Sequence, residues 1–206
     1  MMPRMNGYEL CKTIKEDIAI SHIPVILLTA KDDKQSLISG YKNGADGYLS
    51  KPFEVEMLME LIRNRLKNRE YTKKRYLNAG LIPTPEESTI SLTDETFLIK
   101  LNSIIQENID NTNLGIQFIC QEVGLGRSSL YNKLKALTGM GANEYISKLR
   151  IEKAITLISG TDMPFSEIAE KTGFTTPSYF STTFKQYTGE TPSQYKERKK
   201  KGLTDQ

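Results

Sequence analysis

Histidine occurs once in the 206 residues, at His22, and cysteine twice, at Cys11 and Cys120. A single imidazole in a polar turn cannot build a histidine-rich metal site or a His-based catalytic triad. The two thiols lie far apart in apolar-periodic segments and read as buried and reduced, not as a disulfide framework. No apolar run reaches the roughly 18 residues of a membrane span. The opening Met1-Met2-Pro3-Arg4-Met5 also lacks the apolar core of a signal peptide, so a cytoplasmic chain without membrane contact is expected. A Gly-rich nucleotide loop and a phospho-accepting histidine motif are likewise missing, which excludes kinase action by this chain. No catalytic residue and no metal ligand is assigned.

What is present is ordinary in bulk: 38% hydrophobic residues, 26% charged residues and a formal net charge of +3. The cations are unevenly spread, with clusters at 63–75, 127–135 and 196–201. A nucleic-acid binder needs clustered cations more than a high total, although a charged run is also what a solvated helix face looks like.

The N-terminal part alternates helix and strand signals. Gly7 to Asp17 places Tyr8, Leu10, Cys11 and Ile14 on one helical face. The apolar run 23–28 reads as a strand buried on both faces of a parallel sheet. A short helix is expected over 34–43, then a strand at Gly47-Tyr48-Leu49, then a helix after Lys51-Pro52-Phe53 with Val55, Leu58, Leu61, Ile62 and Leu66 in helical spacing. The α/β part is assigned to 1–70 and a linker to 71–92, its core the Pro-, Ser- and Thr-bearing stretch 80–91 without periodicity. An all-α domain follows over 93–199, with a tail at 200–206. Thr93 is the expected N-cap of its first helix, with Asp94 and Glu95 favourably placed in the first turn.

The all-α part repeats itself. A shift of fifty positions aligns Ser128 with Ser178, Lys135 with Lys185, Thr138 with Thr188, Gly139 with Gly189 and Tyr145 with Tyr195; a shift of forty-nine aligns Ile119 with Ile168 and Gly124 with Gly173. Each copy reads as a helix-turn-helix. A short helix (Ile116 to Val123, or Phe165 to Thr172) carries a small residue, Cys120 or Ala169, and stops at Gly124 or Gly173. A second helix then starts behind Ser/Thr-rich residues.

With Leu130, Leu134 and Leu137 inward, Arg127, Ser128, Tyr131, Asn132 and Lys135 face out, and Lys133 is assigned a phosphate contact. With Phe180, Phe184 and Tyr187 inward, Thr176, Ser178, Ser181, Thr182 and Lys185 face out. Short hydrogen-bonding groups plus a cation suit base edges and phosphates. A pair of hairpins that simply pack on each other, or on another protein, is the competing reading. Between the copies, Ala142 to Ile158 forms an amphipathic spacer of roughly 24 Å at ~1.5 Å per residue. Such a spacer could present two helices to major grooves about 34 Å apart on double-stranded DNA.

The run Ser128-Ser129-Leu130-Tyr131-Asn132-Lys133-Leu134-Lys135-Ala136-Leu137-Thr138-Gly139 resembles the first recognition helix of AraC-type regulators. Phe165-Ser166-Glu167-Ile168-Ala169, Gly173-Phe174, Ser178-Tyr179-Phe180-Ser181, Phe184-Lys185 and Gly189-Glu190-Thr191-Pro192-Ser193-Gln194-Tyr195 resemble the family's second half. The resemblance implies sequence-specific DNA binding, transcription regulation with activation favoured, and RNA polymerase as a candidate partner. Thr182 departs from the pattern, standing where many members carry arginine.

The N-terminal motifs Met2-Pro3-Arg4-Met5-Asn6-Gly7, Gly44-Ala45-Asp46-Gly47 and Lys51-Pro52-Phe53 resemble the last part of a two-component receiver, a flavodoxin-like fold whose first strands are missing here. By that resemblance Lys51 binds a phosphoryl group, Thr29 responds to it, Tyr48 is the switching aromatic and the Lys51–Pro52 bond is cis. The family's phosphorylated aspartate and magnesium-binding acids have no match in the sequence, and Asp17, Asp32, Asp33 and Asp46 are no substitutes. Magnesium and a homodimer on DNA are expected only of an intact parent, either a response regulator or a hybrid sensor kinase.

Overall fold

The computed structural model describes residues 5–30, 38, 40, 42–79 and 91–204. Most of the helix expected over 34–43, the Met2-Pro3-Arg4 motif, Asp32, Asp33 and the linker stretch 80–90 lie outside the described residues. In chain order the elements are α1 (Gly7–Glu16), β1 (Ile26–Thr29), β2 (Gly47–Ser50), α2 (Val55–Ala79), α3 (Leu92–Glu107), α4 (Ile116–Val123), α5 (Arg127–Thr138), α6 (Ala142–Gly160), α7 (Phe165–Lys171), α8 (Pro177–Thr188) and α9 (Pro192–Thr204). They fall into two compact units, Met1–Lys100 with Leu125–Gly139 and Leu101–Gly124 with Met140–Gln206.

In the first unit Asn6 caps α1 reciprocally. Its side chain accepts from the Tyr8 and Glu9 amides at 3.0 Å, and the Glu9 carboxylate accepts from the Asn6 amide at 3.0 Å, satisfying donors that a helix start leaves open. Strands β1 and β2 pair in parallel, from Ile26 opposite Gly47 to Thr29 opposite Ser50. The expectation of a strand buried on both faces is corrected. Among the described residues the sheet has two strands, so β1 is half-buried and Leu28 remains 43% exposed. Helix α2 runs on to Ala79, and 71–79, expected as linker, is helical. No glycine or proline interrupts the sequence from Val55 to Ala79, and Gly80 is the first breaker. The cap of α3 is also corrected. The Ser91 hydroxyl accepts from the Asp94 amide at 3.2 Å, while Thr93 donates to the Lys15 carbonyl at 3.0 Å.

In the second unit Ile151, Ala154, Ile158, Ile168, Ala169, Phe174, Phe180 and Phe184 form one buried cluster. Phe180 touches both Phe174 and Phe184, with ring centroids 5.3 and 5.7 Å away, and Phe184 meets Tyr195 at 5.6 Å. Fully burying each such ring contributes roughly 1.5–3 kcal/mol. On α6, Tyr145, Ile146, Leu149 and Ala154 point inward as their spacing predicts. Arg150 joins them. Its guanidinium donates to the Ile109 carbonyl at 3.2 Å and the Asn111 carbonyl at 2.7 Å, and it lies 6.0 Å from the Phe174 ring. Gly173 closes the turn after α7 at φ +71°, where a Cβ would stand 2.3 Å from the Ile109 oxygen. Only glycine fits there. Among the described residues no helix is long and apolar enough to cross a membrane.

Candidate nucleic-acid interface

Helix α5 starts after the extended Gly126 and stops at Gly139, which adopts the left-handed conformation. Leu130, Leu134 and Leu137 are buried. Arg127, Ser128, Asn132 and Lys135 are exposed, and Tyr131 is 55% exposed. These five stand where the sequence places them, on one accessible surface.

Lys133 does not, and its assignment to a DNA phosphate is corrected. It is fully buried. Position 133 lies within one turn of Leu130, Leu134 and Leu137, so the stripe that buries them buries it too. Its ammonium forms an ion pair with Asp94 and donates to the Ser21 hydroxyl at 2.7 Å. The Ser21 hydroxyl in turn donates to Asp94 Oδ1 at 2.7 Å. The Lys133 ammonium also lies 5.0 Å from the Phe97 ring centroid. Burial pulls the Lys133 pKa below its ordinary value, and Asp94 opposes that shift. A charge so enclosed and fully engaged cannot meet a phosphate.

Helix α8 is capped by Thr176, whose side chain accepts from the Tyr179 amide at 3.1 Å, and Pro177 starts it with a suitable φ. Phe180, Thr183 and Phe184 are buried; Thr176, Ser178, Thr182 and Lys185 are exposed and Ser181 is half-buried. The Thr182 hydroxyl donates to the Ser178 carbonyl at 3.0 Å, leaving its oxygen as an acceptor. Tyr187, expected inward, is 37% exposed. Its hydroxyl donates to the Glu144 carbonyl at 2.9 Å, and burial, followed by Glu144, pushes the phenol up to about 12.

In the α/β part, Thr29 ends β1 opposite Ser50, Tyr48 stands opposite Leu27, and the Lys51 amide donates to the Thr29 carbonyl at 2.6 Å. Thr29 and Lys51 thus meet at two adjacent strand ends, while Tyr48 lies within β2. Lys51–Pro52 is cis. Among the described residues no three His, Cys, Asp or Glu side chains come together. Sequence reasoning did not single out Ser21 and Arg150, and it read Asp94 as a dipole partner.

Residues 1–63 match the response regulator receiver domain and residues 119–198 match a helix-turn-helix domain. The probable transcriptional regulator ycf29 of Pyropia yezoensis is 30% identical over 155 residues, which is 70% of this chain and 70% of that protein. The chain belongs to the response-regulator family, with an AraC-type helix-turn-helix domain. Histidine kinase P4 of Formosa agariphila is 42% identical over 198 residues; the match takes in 96% of this chain and spans only 14% of that protein's length. Among solved structures, the C-terminal domain of AraT, a response regulator from Geobacillus stearothermophilus, aligns with 54% of this chain and 88% of its own at 29% identity and a TM-score of 0.48. As a response regulator, the chain joins a receiver-type segment to a helix-turn-helix domain.

Proposed function

We propose that this response regulator binds double-stranded DNA in a sequence-specific way and regulates transcription, reading bases with the exposed faces of α5 and α8. The observation that carries the reading is the matched exposure of the two helices. Arg127, Ser128, Tyr131, Asn132 and Lys135 on one, and Thr176, Ser178, Thr182 and Lys185 with the half-buried Ser181 on the other, stand out from buried Leu130/Leu134 and Phe180/Phe184 stripes. Amide and hydroxyl groups of this kind match base edges, and the lysines match phosphates. A helix that only packed against protein would not need that chemistry repeated at the same spacing. The spacer α6 supports readout of two neighbouring major-groove segments by one chain.

We further propose that the chain is the output end of a two-component phosphorelay, in whose intact parent Lys51, Thr29 and Tyr48 form the phosphoryl-responsive corner. The likeness to a histidine kinase along nearly the whole chain supports a hybrid kinase-type parent. Homodimerisation of the intact parent on repeated sites and contact with RNA polymerase belong to the same proposal. Titration of labelled duplexes at two salt concentrations tests it. Affinity should fall with a log–log slope near −0.9 per phosphate contact, and Asn132→Ala or Ser178→Ala should change sequence preference. Salt-independent binding, or unchanged preference in both variants, would overturn the reading.

A further inference from the structure

A cavity of about 210 Å³ opens inside the first unit, between α2, the start of α3, the end of α5 and the turn around His22. That is many times the ~10–15 Å³ a single water needs. Its wall carries both signs of charge, but they do not cancel. Asp46 is held by Lys15 at 2.6 Å, and Asp94 is held by Lys133, so each carboxylate already has its cation.

Arg65 and Arg69 remain. They stand one turn apart on α2, both half-buried and both lining the cavity, and among the described residues neither makes an ion pair. The exposed Arg63 on the same helix is different, since Glu60 engages it at 2.5 Å. His22 also lines the cavity, although its Nδ1 atom is enclosed and, among the described residues, has no hydrogen-bond partner. Buried polar groups are normally satisfied, and half-buried guanidinium groups left without a counter-charge are costly. Guanidinium forks take phosphate oxygens in pairs. A cavity of about 210 Å³ has room for a small ion.

We propose that this cavity is a binding site for a small phosphate-type oxyanion, held by Arg65 and Arg69 beside the His22 ring. Its source is either free phosphate or a small phosphomonoester; both present the same tetrahedral dianion. None of the lining residues is among those assigned to DNA, and the site stands whether or not that assignment does. A bound dianion would tie α2 to the His22 turn, next to the residues that enclose Lys133.

His22, the chain's one histidine, supplies a single-resonance probe. The full chain is titrated with inorganic phosphate, and separately with glycerol phosphate, at constant ionic strength and neutral pH, following the His22 ring proton by NMR. A saturable shift is expected, weakened about tenfold or more by Arg69→Gln and by Arg65→Gln. Arg65→Lys, which keeps the charge but loses the fork, should also weaken it and covers the case in which the glutamine variants fail to fold. Tighter binding of glycerol phosphate identifies a phosphomonoester as the source, and tighter binding of inorganic phosphate identifies the free ion. A shift that rises without saturating, that chloride reproduces, or that survives unchanged in the arginine variants overturns the site.

Discussion

Lys133 and Asp94, thirty-nine positions apart in the chain, face each other in a buried ion pair that the Ser21 hydroxyl completes. Every polar atom of this trio that points inward has a partner, which is the condition under which buried charges are tolerated.

Removing one member should therefore be worse than removing both. Lys133→Met leaves the Asp94 carboxylate enclosed and is expected to cost about 3–5 kcal/mol, whereas Lys133→Met with Asp94→Leu should recover most of it. Urea unfolding of the single and double variants measures both. Equal losses in the two would show that the pair is not enclosed.

The same burial separates Lys133 from the DNA contacts assigned to its neighbours. Lys135→Ala and Lys185→Ala are each expected to lower the magnitude of the salt slope of duplex binding by about 0.9. The Lys133→Met, Asp94→Leu variant should leave the slope unchanged. A slope that drops in that variant would return Lys133 to the phosphate-contacting set.

Two glycines at nearly the same φ, Gly124 at +72° and Gly173 at +71°, differ in what surrounds them. Gly124 has nothing within 4 Å of an added Cβ, so alanine there should cost only the ~1–2 kcal/mol of the left-handed conformation. Gly173→Ala must also displace the Ile109 carbonyl and the Arg150 guanidinium. It should be clearly the more damaging of the two in thermal or urea unfolding, and the reverse order would contradict the packing.

His22 links stability to acid. Burial, then the Lys133 ammonium, holds its pKa below the ordinary 6.5, with Arg69 and Lys15 acting in the same direction and Asp94 against them. The unfolded chain thus takes up a proton at higher pH than the folded one. The His22 contribution to stability is complete above pH 6.5 and declines as the pH falls through that value, levelling off below the folded pKa. Unfolding measured across this window should show less acid loss in His22→Gln than in the parent chain.

Much of this was legible in the residues. The repeat located both pairs of helices, α4 with α5 and α7 with α8, and the glycines after α4 and α7 stop those helices as their position predicts. Lys133 was misread although the pattern held the clue. It lies in the 130/134/137 stripe, and the shift of fifty pairs it with Thr183, which is also buried. A lysine in an apolar stripe signals a distant carboxylate, but nothing local in the sequence identifies Asp94 as that partner. The length of α2 follows from uninterrupted helix formers, which the basic run obscured. The exposure of Leu28 depends on how many strands stand beside β1, which no single segment encodes.

Arg150 fastens its guanidinium to the backbone oxygens of Ile109 and Asn111 rather than to a carboxylate. Backbone oxygens cannot be deleted by a side-chain substitution, and the guanidinium keeps its charge at any physiological pH. The loop before α4, the middle of α6 and the turn at Gly173 are thereby fastened at one point. Amide protons in these three stretches should exchange with solvent together, as one cooperative opening unit.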